Sequence, residues 1–162
     1  MVQYPAEMLK RRAESIGQVD DEARTLAQDL VDTMRVSPAC VGLAAPQIGV
    51  GRQAFCVDVR GHRHATTTHG LVVLFDPEIL EASDPGISRE GCMSVPHLTA
   101  DVRRASRVTV RGLTPSGGES VIEAEGFEAR ALLHEIDHLD GLLILDRASS
   151  PSALFPRRVY RE

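Results

Sequence analysis

The sequence predicts an α+β fold in which antiparallel sheets pack around a central helix bearing a His-Glu-x-x-His motif. Three observations carry that expectation. The elements run helix, strands, hairpin, helix, without the regular alternation of a parallel sheet. The stretch Gly126–Gly141 reads as one helix with apolar residues in several directions, as a helix wrapped by the rest of the chain requires. A chain of 162 residues, 43% hydrophobic, fits a single core, so residues 1–162 are expected to form one domain with a short tail from about residue 147.

Taken in order, residues 5–16 read as a weakly helical segment started by Pro5. The run from Asp20 to Arg35 places Ala23, Leu26, Leu30 and Met34 on one face and acids in its first turn, which predicts an amphipathic helix ended before Pro38. Cys40–Gly51 is too rich in small residues for an ordinary helix or strand. Its glycines and alanines let a backbone approach a ligand, and Gln47 is the side chain there able to donate hydrogen bonds. Arg52–Val59 and Leu71–Pro77 read as buried strands, with Cys56 in the core. Between them, His62, His64 and His69 sit in a polar loop expected to be solvated. Ser88–Leu98 holds Cys92 beside Gly91. The alternating segments from Ala105 and Glu119, separated by Pro115–Gly118, predict a hairpin leading into the histidine helix.

The net charge of −5 and pI near 5.7 give no nucleic-acid footprint, so no specific DNA binding is expected. Arg157, Arg158 and Arg161 form a small basic cluster that reads as a solvated tail. No run approaches the roughly 18 apolar residues of a membrane span, and no secretory h-region precedes the first helix. A soluble, cytoplasmic protein with reduced cysteines is expected.

The chemistry lies in the helix. His134 and His138 are one turn apart and leave the same face, so they can converge on one metal ion, while Glu135 projects beside it. A third ligand is missing locally. Ile144 stands where one protease pattern places a third histidine, and Glu162 is the only later glutamate. A ligand upstream of the helix is required.

Three segments, "VGLAAPQ" (Val41–Gln47), "EGCMS" (Glu90–Ser94) and "HEIDH" (His134–His138), resemble in order and spacing the three motifs of bacterial peptide deformylases. The resemblance extends over most of the chain, including "QYP" near the start and "HLDGLL" after the last motif. It implies a peptide deformylase-like fold and a hydrolase that removes the formyl group from N-formylmethionyl nascent peptides, releasing formate. It further implies that Cys92, His134 and His138 hold the metal and that Glu135 is the general acid/base. Gln47 and the main-chain N–H of Met93 would face the carbonyl oxygen, and the backbone near Gly42 would pair with the substrate. The pocket for the methionine side chain is expected around Val41, Phe127 and Ala131. The ligand set suits both Fe(II) and Zn(II); the resemblance implies one ferrous ion per chain, with zinc able to substitute. A ribosome contact near the tunnel exit is the remaining partner it raises. Cys40, Met93, Leu133 and Asp76 depart from the family's usual residues. Two other readings share the motif: another His-Glu-x-x-His metallopeptidase, and a degenerate homologue that binds metal without catalysis.

Overall fold

The structure, a computed structural model, describes residues 1–157; Arg158 and Arg161 of the basic cluster lie outside the described residues. Its first helix, α1 (Asp21–Val36), starts where the Asp20 carboxylate accepts the Ala23 N–H at 2.9 Å, satisfying one of the orphan donors of the first turn. The predicted stripe of Ala23, Leu26, Leu30 and Met34 is buried. The segment before it forms only a short 3-10 turn, Glu7–Lys10, instead of a longer helix. Its extended remainder bonds to neighbours: Ala13 N–H donates to Leu139 O and Glu14 N–H to Gly51 O.

Six strands follow, β1 (Gly42–Ala44), β2 (Ala54–Val57), β3 (Val72–Cys92), β4 (Val95–Leu113), β5 (Glu119–Glu125) and β6 (Leu154–Pro156). They form one antiparallel sheet in the order β1-β2-β3-β4-β5, with β6 added against β4. The predicted hairpin between β4 and β5 is present, but β3 and β4 both run far beyond the segments the alternation marked. Asp84-Pro85-Gly86 looks like a break in the sequence. The strand instead continues through Asp84 at φ 54°, with the Ser106 hydroxyl donating to the Asp84 carbonyl. Register shifts near Phe75, Ile79 and Gly91 bend the pair. Asp76, at φ 47°, accepts from Ser15 Oγ and from the N–H groups of Ile16 and Gly17, so its carboxylate ties the N-terminal segment to β3. The stretch after residue 147, expected as a tail, contains β6.

Helix α2 (Gly126–Leu139) lies against the sheet, and a single turn, α3 (Ile144–Arg147), follows it. Strand β2 explains the packing. Its residues alternate, Phe55 and Val57 facing the cluster that contains Leu132, Ile136 and Leu139 of α2, Ala54 and Cys56 facing the stripe of α1. All four are fully buried, so the strand is covered on both faces. Each large apolar side chain sealed this way contributes about 1.5–3 kcal/mol relative to exposure. A third cluster, Leu9, Cys92, Val95, Ala100, Val102, Leu143 and Ile144, seats Cys92 under the end of the β3–β4 hairpin.

Candidate metal centre

Helix α2 begins at Gly126, whose φ of 60° suits a residue without Cβ, and after its last residue, Leu139, the chain turns away at Gly141, which has φ 73°. A side chain at Gly141 would meet the Lys10 backbone at 2.8 Å, so this glycine also lets the N-terminal turn pack on the helix end. His134 and His138 leave one face, their ring centroids 5.0 Å apart. The β3–β4 hairpin turns tightly through Met93 and Ser94 and delivers Cys92 to the same point. Ligand atoms of Cys92, His134 and His138 lie within 4.8 Å of one another, with Cys92 Sγ 3.3 Å from His138 Nε2.

This donor set fits a divalent cation. Burial pushes His138 well below the ordinary imidazole range, leaving a neutral ring with a nitrogen available to ligate. Burial also lowers His134, yet its hydrogen bonds with Cys92 and Glu90, and the charges near it, outweigh burial and raise it well above the usual value. One sulfur and two imidazoles converging on a point are donors that suit such an ion. Glu90 Oε2 sits 3.0 Å from His134 Nδ1, orienting the ring so that Nε2 is the ligating nitrogen.

Glu90 is held in turn. Arg104 donates to it through Nε at 2.7 Å and Nη2 at 3.1 Å, and through Nη1 to Asp137 at 2.6 Å; Arg147 pairs with the other side of Asp137. All three members of the Glu90–Arg104–Asp137 chain have side chains no more than 11% exposed. For Glu90 burial acts upward, but the bonds from His134 and Arg104 hold the carboxyl below its ordinary value. The sequence reading did not single out these three. Glu90 and Asp137 stand inside the recognised motifs, so their positions were a usable signal; Arg104 carried none.

Glu135 is buried, and its Oε2 has no hydrogen-bond partner among the described residues. Burial pushes its carboxyl up to about 7, partly offset by His134 and Arg104 and reinforced by Glu90 and Asp137. Gly42 lies against it so closely that a Cβ there would stand 2.5 Å from Glu135 Oε1. Gln47, also buried, accepts the Ala44 N–H through Oε1 at 2.9 Å, which turns Nε2 toward Ser94 Oγ, 3.2 Å away, and Cys92 Sγ, 3.9 Å away. Among the departures, Cys40 donates its thiol to the Gly42 carbonyl at 3.1 Å, and Leu133 packs at the edge of the core around α2.

The remaining predicted residues are less tightly gathered. Val41, Phe127 and Ala131 border the same core cluster, and Phe127 stacks on His62 with ring centroids 3.9 Å apart. His69 pairs with the fully buried Glu128 at 2.9 Å. The loop is largely exposed, as expected, and two of its three histidines also fasten it to α2, whose first turn offers a ring and a buried carboxylate to cover.

The polypeptide deformylase family model matches residues 1–153. The chain belongs to that family. A peptide deformylase of Thermodesulfovibrio yellowstonii is 42% identical over 90% of this chain and 86% of its own length, and peptide deformylase 1 of Bacillus subtilis is 42% identical over 92% and 89%. The fold agrees with solved structures. Peptide deformylase from Thermotoga maritima superposes with TM-score 0.83 at 32% identity, covering 93% of this chain and 97% of that one. The Ehrlichia chaffeensis enzyme in complex with actinonin gives 0.86 at 32%, covering 94% and 90%. The activity is peptide deformylation, hydrolysis that frees formate from the N-terminal formylmethionine of newly made polypeptides. The family acts with a catalytic metal, and Cys92, His134 and His138 form a group able to hold one. Among the described residues no helix is long and apolar enough to cross a membrane.

Proposed function

We propose that the deformylase reaction runs at this centre, with Cys92, His134 and His138 as ligands, Glu135 as general acid/base, and Gln47 with the Met93 N–H as oxyanion donors. The observation that carries the reading is the convergence of one sulfur and two imidazoles from distant segments beside a buried, unpaired carboxylate. Fe(II) is the proposed native ion, one per chain, with Zn(II) able to replace it. When bound, the metal acidifies a water and polarises the formyl carbonyl.

The chain's own groups do the rest. Glu135 takes the proton of the attacking water and then gives it to the departing amine, work for which a carboxyl titrating near neutrality is suited. Gln47 Nε2, its amide fixed by the bond from Ala44, and the Met93 N–H receive the charge that develops on the formyl oxygen. The backbone at Val41 and Gly42 pairs with the peptide, and Phe127 and Ala131 border the methionine side chain. The substrate is a nascent chain in the cytoplasm as it leaves the ribosome.

Formate release from formyl-Met-Ala and acetyl-Met-Ala, measured anaerobically with Fe(II) alongside metal analysis, tests the assignment. Rapid release from the formyl peptide alone, with one metal per chain, is expected. Activity that persists in a metal-free sample would overturn it. Cleavage of internal peptide bonds would favour the metallopeptidase reading instead.

A further inference from the structure

The first residues of the chain touch both halves of the proposed oxyanion site. Val2 N–H donates to the main-chain oxygen of Gln47 at 2.7 Å, and Tyr4 N–H donates to that of Ser94 at 2.9 Å. Across the site the Gln47 amide reaches Ser94 Oγ at 3.2 Å. These three bonds and the intervening backbone close a ring: Val2 to Gln47, Gln47 to Ser94, Ser94 to Tyr4, and back along the chain. Gln47 is 2% exposed and Ser94 fully buried, so water does not compete for the side-chain link. The Val2 side chain adds to the same fastening, since it packs against the cluster that contains Cys92 and comes within 4.0 Å of where a Cβ on Gly49 would stand.

Gln47 belongs to a 3-10 turn of only four residues, Ala45–Ile48, while Met93 sits in the two-residue turn between β3 and β4. Neither turn is long enough to fix the distance to the other by its own hydrogen bonds. Two oxyanion donors are effective only if their separation is set before the charge appears, and the ring supplies that constraint. We propose that Val2–Tyr4 is a positioning strap for the oxyanion donors, holding the Gln47 turn and the Cys92–Ser94 turn at a fixed separation through the N–H groups of Val2 and Tyr4. The strap rests on the assignment of Gln47 as a donor.

The test compares Val2→Pro, which lacks the N–H, with Val2→Ala, which keeps it, each in wild-type and Gln47→Ala backgrounds of the full-length, metal-loaded chain. With formyl-Met-Ala, kcat is expected to be about tenfold lower in Val2→Pro than in Val2→Ala, because small misplacements of a catalytic donor carry losses of that order. KM and metal content should stay within about twofold. In the Gln47→Ala background the difference should vanish, since the strap sets a separation between two donors and only the Met93 N–H is left. Equal kcat in the two Val2 variants, or the same loss in both backgrounds, overturns the strap alone. Wild-type kcat in Gln47→Ala overturns the donor assignment and the strap together. Should Val2→Pro not fold, Tyr4→Pro against Tyr4→Ala removes the strap's other N–H: the same kcat-selective loss, absent in the Gln47→Ala background, is expected, and equal kcat in the pair or a loss seen equally in both backgrounds sinks the proposal.

Discussion

A carboxylate with an unpaired oxygen, sealed beside two imidazoles, is unfavourable unless it has work to do, and Glu135 is placed in that way. Replacing it by Gln keeps the shape and removes the proton acceptor. Glu135→Gln is expected to lower kcat by about 10²–10⁴-fold while metal content by elemental analysis stays at one per chain. Near wild-type turnover would take Glu135 out of the reaction. Gly42 gives a second residue-scale expectation. Its missing Cβ makes room for Oε1 of Glu135, so Gly42→Ala must shift either the strand or the carboxylate. A kcat reduced by about 10–100-fold, with the melting temperature little changed, is expected from such a displacement. Structure-neutral, fully active Gly42→Ala would mean that the two groups are less tightly coupled than their contact implies.

At the scale of elements, the site is a junction between α2 and the β3–β4 hairpin, locked by the Glu90–Arg104–Asp137 chain. Arg104 pairs with two buried carboxylates on different elements. Arg104→Met would leave Asp137 with Arg147 alone and Glu90 with the more distant Arg130, a change expected to destabilise the fold by about 1–3 kcal/mol in urea unfolding. By loosening Glu90 behind His134 it should also weaken metal binding by about 10–100-fold in competition with a chelator. Unchanged metal affinity would show that Glu90 does not need Arg104 to hold the ring.

The two helices were readable because helical periodicity is local: three or four residues decide which way each side chain faces, and the stripe of α1 and the glycines bounding α2 state it directly. The length of β3 was not readable. Its middle, Glu81–Glu90, is interrupted by Asp84, Pro85 and Gly86, and what keeps it extended is pairing with β4, a partner up to about thirty residues away. The loop of His62, His64 and His69 is largely solvated as expected, but nothing near His62 or His69 in sequence announces their contacts with Phe127 and Glu128.

Over the whole molecule, distant segments are stitched at the surface as well as at the site. Asp146, at the start of α3, accepts from Lys10 Nζ at 2.6 Å and from Leu143 N–H at 2.8 Å. Burial alone would raise this carboxyl; the two donors and the lysine charge outweigh it and hold it below the ordinary value. On acidification the unfolded chain therefore takes up the proton first. The stabilisation is complete above about pH 4 to 5 and is lost as pH falls through the depressed folded value. Asp146→Asn should lower the melting temperature at neutral pH and make it fall less steeply in acid. Parallel curves for the two proteins below pH 5 would rule out the linkage.

By itself the sequence determined the two main helices, the paired imidazoles with a carboxylate between them, and, through three motifs in order, the kind of chemistry. Those features depend on neighbours within a turn, or on short segments whose residue types carry their own meaning. Only the tertiary structure decided that Cys92 meets the histidines, that Glu90, Arg104 and Asp137 brace them, and that Val2 and Tyr4 bridge the turns of Gln47 and Ser94. Each brings together residues well beyond one helical turn, from 14 positions apart for Glu90 and Arg104 to 90 for Tyr4 and Ser94, through strand pairing and helix packing that no local pattern encodes.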